Sequence, residues 1–369
     1  MRVALVYDRV NKWGGAERVL LALHQMFPDA PLYTSIYDRK KTPWANVFDV
    51  KTSFLQNFPF AMNHELFATL MPLAFENFSF EEYELVISVT SEAAKGILTK
   101  PKTKHICYCL TPTRYLWSGY QEYFKNPLLR FISKPAVSYL RTWDKIAAQR
   151  PDAYIAISKE IQRRMKKYYE RESKAVYPPV DIKDTKKIGR ISPNILISQY
   201  PNIGEYFLIV SRLVPYKKID IAVRAFNILK LPLKIIGVGS ELERLKNIAG
   251  SNIEFLGSLT DEELVRYYMG CRSLIFPGLE DFGLTIIEAQ SFGKAIIAFR
   301  GGGALETIIE GKTGIFFDEP TAESLLKAVK EFNDIKFDPK DCFENAQKYS
   351  LEEFKKSFLS KIKEIINAR

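Results

Sequence analysis

The stretch 273–317 reads S-L-I-F-P-G-L-E-D-F-G-L-T-I-I-E-A-Q-S-F-G-K-A-I-I-A-F-R-G-G-G-A-L-E-T-I-I-E-G-K-T-G-I-F-F, and its periodicity constrains the chain more than any other feature. Three apolar runs, 273–276, 295–299 and 314–317, are strand-length and are separated by segments long enough for helices. That alternation is a βαβ pattern, which predicts a parallel sheet. Glu280, Asp281, Phe282 and Gly283 then fall at the carboxyl end of the first strand, and a helix is expected to begin near Leu284 and to carry Glu288. Doubly wound sheets hold their ligands at that edge.

The spacing of Glu280 and Glu288 limits what the two carboxylates can do together. Eight helical steps rise roughly 12 Å, whereas a hydrolase pair acts on one bond at about 5.5 Å. The two groups are therefore expected to grip different parts of a longer ligand. The amides of Phe282, Gly283, Leu284 and Thr285 at a helix N-terminus favour an anionic group between them, such as a phosphate. Hydroxyl clusters at both ends of a diphosphate describe a nucleotide-sugar.

The E-x7-E pattern, the E-D-F-G-L-T start, the F-G-K-A-I-I-A turn and the G-G-A-L-E-T helix start resemble the family 4 retaining glycosyltransferases of the GT-B fold. Within that family the chain is most similar to bacterial mannosyltransferase-type enzymes of surface polysaccharide and lipid-linked oligosaccharide assembly. The resemblance implies an α/β protein of two doubly wound, Rossmann-like domains facing each other across a cleft, with a C-terminal helix crossing back. It also implies that Glu280 faces the transferred sugar and that Glu288 holds the ribose hydroxyls.

Composition narrows the partners. A length of 369 residues predicts two or three domains, and 47% hydrophobic residues are ample for two cores. No run of about 18 apolar residues is present, and charges at Asp8 and Arg9 come too early for a signal peptide, so a cytoplasmic protein is expected. Cys107, Cys109, Cys271 and Cys342 contain no C-x-x-C pair and are expected to be buried thiols. The net charge of +10 calls for an anionic partner. No nucleic-acid-binding signature appears, so an anionic membrane surface, the inner face of the cell membrane, is the expected partner.

Read in order, the chain opens with a strand at 3–7, a turn N-K-W-G-G and a helix at 16–26. Gly14 and Gly15 allow the backbone to approach a phosphate or sugar closely. By resemblance, that pair faces donor and acceptor across the cleft. Further strands are expected at 31–37, 47–54, 85–90 and 105–110. The apolar segment 59–80 reads as a core-packing helix pair, with an apolar lip for a lipid acceptor as the alternative. The family commonly has a histidine where this chain has Leu110, and leucine cannot take over its hydrogen bonds. His24, His64 and His105 are expected to be ordinary residues.

From 114 to 150, aromatic and aliphatic residues interleave with Arg130, Lys134, Arg141, Lys145 and Arg150. This predicts basic amphipathic helices suited to a membrane surface, where each basic residue contributes about 1 kcal/mol near anionic lipid. The alternative is a packed helical wall with a solvated face. A strand at 153–158 and a basic helix follow, and V-Y-P-P-V at 176–180 ends the first domain. The expected organisation is an acceptor domain over 1–180, a linker over 181–204, a donor domain over 205–350 and a C-terminal helix over 351–369 packing back on the first domain.

In the second domain, S-R-L-V-P-Y-K-K follows a strand at 206–210. Arg212 and Lys217 sit where two cations can hold a leaving diphosphate, the guanidinium chelating and the ammonium acting as a point charge. Family motifs give them the same role, with Lys218 as the substitute for Lys217. Gly237 and Gly239 lack the third glycine of a dinucleotide fingerprint. Gly257, after N-I-E-F-L, resembles the family's base-contacting turn.

The resulting expectation is a retaining glycosyltransferase with catalytic Glu280, Arg212 and Lys217. It takes a nucleotide diphosphate sugar, first GDP-mannose, and a saccharide or polyprenyl-linked acceptor. It needs no cofactor and, lacking any D-x-D, no metal. The rival readings are a non-catalytic nucleotide-sugar-binding scaffold and a nucleotide-sugar epimerase. D-F-G at 281–283 has no kinase catalytic loop around it.

Overall fold

The computed structural model describes residues 1–180 and 205–367, so the linker expected over 181–204 lies outside the described residues. The chain divides into two compact units, Met1–Pro179 together with Phe354–Arg369, and Val180–Glu353.

The first unit is built on a seven-stranded sheet ordered β3-β2-β1-β4-β5-β6-β7. The strands are β1 (Val3–Tyr7), β2 (Leu32–Thr34), β3 (Val50–Thr52), β4 (Leu85–Thr90), β5 (Lys104–Cys109), β6 (Ala153–Ala156) and the short edge strand β7 (Lys174–Ala175). Every pairing is parallel. The central strands β1 and β4 are buried along their whole length, which is why they read as mainly apolar runs, V-A-L-V-Y and L-V-I-S-V-T. Strand order reverses between β1 and β4. There the Asp8 carboxylate accepts from Thr90 Oγ1 at 2.8 Å and from the amides of Ser91, Glu92 and Ala94 at 2.7, 3.1 and 2.9 Å. Four donors offset the cost of burying that charge and tie the two loops at the switch together.

The apolar segment expected as a helix pair is a 3₁₀ turn (His64–Leu70) running into a short helix (Met71–Glu76). Ala61, Met71, Ala74, Phe75 and Phe80 enter the core, while Phe60, Leu66 and Leu73 are exposed. The basic aromatic region becomes the helix Pro127–Ala147, opened by Asn126, whose side chain accepts from the Leu128 and Leu129 amides. Its inner face holds Val137, Leu140, Asp144 and Ala147. Asp144 pairs with Lys95 at 2.5 Å, both side chains almost wholly buried, and accepts from Trp117 Nε1 at 2.7 Å. The final helix, Leu351–Asn367, carries Phe354 and Phe358 onto the Tyr108 ring at 6.0 and 5.7 Å, so the end of the chain completes the core of the first unit.

The second unit has a six-stranded sheet ordered β10-β9-β8-β11-β12-β13. Its strands are β8 (Phe207–Val210), β9 (Leu233–Ile236), β10 (Ile253–Gly257), β11 (Ser273–Phe276), β12 (Ile296–Phe299) and β13 (Gly314–Phe317), again all parallel. Its core gathers Phe207, Phe226, Leu233, Ile275, Ile297, Leu325 and Val329. Each such side chain contributes about 1.5–3 kcal/mol on burial. All four cysteines are free and buried, and burial pushes the Cys107 and Cys271 thiols up to about 12, which leaves them unreactive at neutral pH.

Candidate functional site

In the second unit the strand order reverses between β8 and β11, and the crevice beyond their carboxyl ends is the natural ligand position of a doubly wound sheet. The loop after β8 supplies Arg212 and then a 3₁₀ turn, Pro215–Lys217. The loop after β11 supplies Glu280. Tertiary folding brings these segments into contact, since Lys217 Nζ forms an ion pair with Glu280 Oε1. Both side chains are largely shielded, 11% and 21% exposed, so the pair is poorly screened by solvent.

Arg212 is exposed and donates from Nη2 to Tyr216 Oη at 2.7 Å, and no carboxylate pairs with it among the described residues. Tyr216 also places its ring centroid 5.4 Å from Lys217 Nζ, so one tyrosine buttresses both cations.

Two glycines allow these loops to pack. Gly237, at φ +138°, lies so close to the carbonyl of Ser211 that any Cβ would overlap it, which holds the Arg212 loop against the end of β9. A Cβ at Gly303 would overlap the backbone of Phe282, and the Gly303 amide donates to Glu280 O at 2.9 Å. The G-G-G run at 301–303 thereby fixes the Glu280 loop. Close backbone approach explains both glycines without a dinucleotide fingerprint.

The helix carrying Glu288 is Leu284–Gln290, with Gly283 as N-cap in the left-handed region at φ 92° and no side-chain cap. Phe282 turns its ring into the core against Tyr349, 5.5 Å between centroids, leaving only its backbone for the edge. Leu284 and Thr285 form the first turn. A helix of seven residues has little dipole of its own, and full positive charge stands beside it on Arg212 and Lys217. Glu288 is separated from Glu280 in its contacts as well as in sequence, because its Oε2 accepts from Tyr268 Oη at 2.7 Å. Gly257 ends β10 at φ +70° with open space where a Cβ would be, and its carbonyl accepts from the Gly237 amide at 2.7 Å.

Gly14 and Gly15 lie in the first unit, at the β1 edge of its own switch point. Gly14 caps the helix Gly15–Met26 without a side-chain hydrogen bond, and Glu17 beneath it is buried on Tyr7 Oη at 2.6 Å. Leu110 follows β5 and its amide donates to Thr90 O. His105 is wholly buried, with Nε2 2.8 Å from Ser88 Oγ, and is part of the sheet packing. Tyr216 and Tyr268 were not foreseen, since neither stands at a spacing that marks a site.

The first unit also presents an unusual helix end. All residues from 125 to 132 are exposed, including Leu128, Leu129, Phe131 and Ile132, at 66%, 50%, 77% and 66%. Lys125, Arg130 and Lys134 stand among them, and Arg141 and Lys145 lie over the Trp117 ring further along. Among the described residues no helix is long and apolar enough to cross a membrane.

Comparison with known proteins bears on this geometry. The family model Glycosyl transferases group 1 matches residues 198–349. An uncharacterized glycosyltransferase of Methanocaldococcus jannaschii is 25% identical over 217 residues, 57% of this chain and 58% of that protein. A GDP-mannose-dependent alpha-(1-6)-phosphatidylinositol monomannoside mannosyltransferase of Mycolicibacterium smegmatis is 33% identical over 150 residues, 36% of this chain and 38% of that protein. The chain thus matches less than two thirds of the length of either relative. The structure of HepE from Anabaena in complex with UDP-glucose is similar over 99% of this chain and 100% of that one, with a TM-score of 0.70 at 19% identity, a likeness of fold. The Glycosyl transferases group 1 pattern thus lies on the unit that carries Arg212, Lys217, Glu280 and Glu288, and with the fold shared along the whole length the chain has the GT-B fold.

Proposed function

We propose that this protein is a retaining glycosyltransferase that moves a sugar from a nucleotide diphosphate sugar to a saccharide or polyprenyl-linked acceptor. The observation that carries the reading is the convergence of Arg212, Lys217 and Glu280 at the β8/β11 switch point. Two cations there suit a diphosphate leaving group, and a carboxylate beside them suits the hydroxyls of the sugar being transferred. Glu288, on the next helix, suits the ribose. Gly257, Gly283 and the amides of Phe282, Leu284 and Thr285 line the path of the nucleotide and its diphosphate, and Gly14 and Gly15 belong to the acceptor-binding unit. GDP-mannose is the first donor to test, in line with the mannosyltransferase among the relatives, and UDP-glucose, bound by HepE, is the second.

Retention fits a site whose work is charge stabilisation and positioning. As the sugar–phosphate bond breaks, Arg212 and Lys217 stabilise charge on the diphosphate, which accepts the acceptor's proton on the face it is leaving. Glu280 is then needed by the sugar while Lys217 is needed by the phosphate, so donor binding exchanges their mutual ion pair for contacts to the ligand. The exposed end of the helix Pro127–Ala147 supports peripheral attachment to an anionic membrane surface, with apolar residues entering the headgroup region and basic ones contacting phosphates.

The test is incubation with radiolabelled GDP-mannose or UDP-glucose and a polyprenyl-linked saccharide extract. A radiolabelled acceptor product with retained anomeric configuration is expected. Binding with no transfer would identify a scaffold, and an altered free nucleotide-sugar would identify an epimerase.

A further inference from the structure

Tyr268 stands outside every motif of the chain, yet its hydroxyl donates to Glu288 Oε2 at 2.7 Å. It lies near the end of the helix Asp261–Gly270, which is fastened at its start by a capping box between Thr260 and Glu263. Its ring is 3% exposed and stacks on Phe292, 5.6 Å between centroids with the planes 9° apart. Phe292 follows the helix that bears Glu288, and its amide donates to Ala289 O at 3.0 Å. The phenol is thus held between one helix that positions its backbone and another that clamps its ring. Packing on both sides holds the phenol oxygen in place, and its O–H points at Glu288 Oε2.

A carboxylate on a helix surface ordinarily rotates about its last torsion, which is broad and twofold. A phenol O–H fixed on one oxygen stops that rotation and orients the plane of the carboxylate. The phenol takes one of about four acceptor positions, and a carboxylate oriented in this way can face a vicinal diol in a fixed direction. A vicinal diol on a rigid five-membered ring is recognised well by such an oriented carboxylate and poorly by a freely turning one, because the ordering cost has been met in advance.

We propose that Tyr268 is a positioning residue for Glu288 and that the Tyr268–Phe292 stack sets the protein's selectivity for a ribonucleotide over a deoxyribonucleotide donor. The inference rests on the proposed placement of Glu288 at the ribose. Because Tyr268 acts through Glu288, its effect belongs to nucleotide binding and not to the bond-breaking step.

The experiment measures, by calorimetry, the affinity of whichever of GDP and UDP binds more tightly, and of its 2′,3′-dideoxy form. Tyr268→Phe is expected to weaken the ribonucleotide by about tenfold, the worth of one hydrogen bond to a charged group, while leaving the dideoxy form unchanged. Turnover at saturating donor is expected to stay within about twofold of the parent, with the loss in KM. Phe292→Leu keeps the phenol but removes the clamp, and gives a smaller loss in the same direction. It carries the test alone if thermal unfolding shows that Tyr268→Phe does not fold. Equal weakening of both ligands, or no change in either, overturns the inference. Glu288→Gln separates the two levels. If it abolishes the preference for the ribonucleotide while Tyr268→Phe leaves it intact, the inference alone fails, whereas a preference that survives Glu288→Gln removes Glu288 from the ribose and the inference with it.

Discussion

Lys217 and Glu280 neutralise one another across two loops, whereas Arg212 is steadied by a tyrosine hydroxyl, and the difference governs what each substitution should do. Arg212→Ala removes a chelating donor that no carboxylate balances among the described residues. Lys217→Ala also leaves Glu280 without its cation, but Glu280 remains partly hydrated and the fold should survive. Each variant is expected to lower kcat/KM by roughly 100-fold, since one well-placed electrostatic donor contributes about 3 kcal/mol in a transition state. Steady-state kinetics beside unchanged thermal unfolding checks this, and near-parental turnover in both variants would remove the pair from the diphosphate. The two glutamates should separate in binding. Glu288→Ala is expected to weaken the free nucleoside diphosphate as much as the nucleotide-sugar, by the equivalent of about 1.5–3 kcal/mol. Glu280→Ala should leave nucleoside diphosphate affinity nearly unchanged while reducing turnover. Calorimetry of both ligands decides it, and the opposite pattern would reverse the orientation of the donor.

Among elements, the glycine loop at 301–303 and the exposed helix end make opposite demands. A methyl group at Gly303 has nowhere to go but into the backbone of Phe282, so the Glu280 loop must move to admit it. Gly303→Ala is therefore expected to cost about 1–3 kcal/mol of stability, as overpacking does, and to abolish most transfer activity. Retained activity in a kinetic assay would show that the loop tolerates displacement. The helix end 125–132 contributes almost nothing to the core, and substitution there should spare the fold. The double variant Phe131→Ser with Ile132→Ser is expected to keep its melting temperature and to lose at least about tenfold in sedimentation with anionic vesicles, since each large apolar side chain removed from water contributes about 1.5–3 kcal/mol. The parent's binding should fall as salt rises. Equal sedimentation of parent and variant would return this helix to a packing role.

At the scale of the whole molecule, the four tryptophans, Trp13, Trp44, Trp117 and Trp143, all lie in the first unit, so their fluorescence reports its unfolding separately from the second. His105 makes that unfolding pH-dependent. Burial pushes its imidazole down to about 3, partly opposed by Asp152, so the folded unit keeps it neutral. In the unfolded chain it takes up a proton near pH 6.5. Between about pH 6.5 and 3 the unfolded state therefore binds more protons, and stability must fall as pH falls, by up to about 1.4 kcal/mol per pH unit from this group. Urea titrations followed by tryptophan fluorescence at pH 7 and 5 should show a smaller loss in His105→Asn than in the parent. An identical loss in both would mean that His105 is not held neutral.

The order of strands and helices was legible in the sequence because each buried parallel strand must be apolar on both faces, and 273–276, 295–299 and 314–317 announce themselves on that ground. Boundaries were less so: the strand expected at 31–37 spans only Leu32–Thr34, and the edge strand Lys174–Ala175 carries too few apolar residues to be seen. Position at strand ends, together with the resemblance, singled out Arg212, Lys217, Glu280 and Glu288 as candidates. What spacing could not supply was which of them meet. The contact of Lys217 with Glu280 joins loops 63 residues apart, and the one between Tyr268 and Glu288 joins two helices. A tyrosine in an amphipathic helix reads as core until packing aims its hydroxyl. The division of 59–80 into buried and exposed halves depended likewise on which neighbours arrived. Sequence determines the elements through local periodicity and burial, whereas register and close backbone approach between distant segments, which set side-chain direction, exist only once the sheet has assembled.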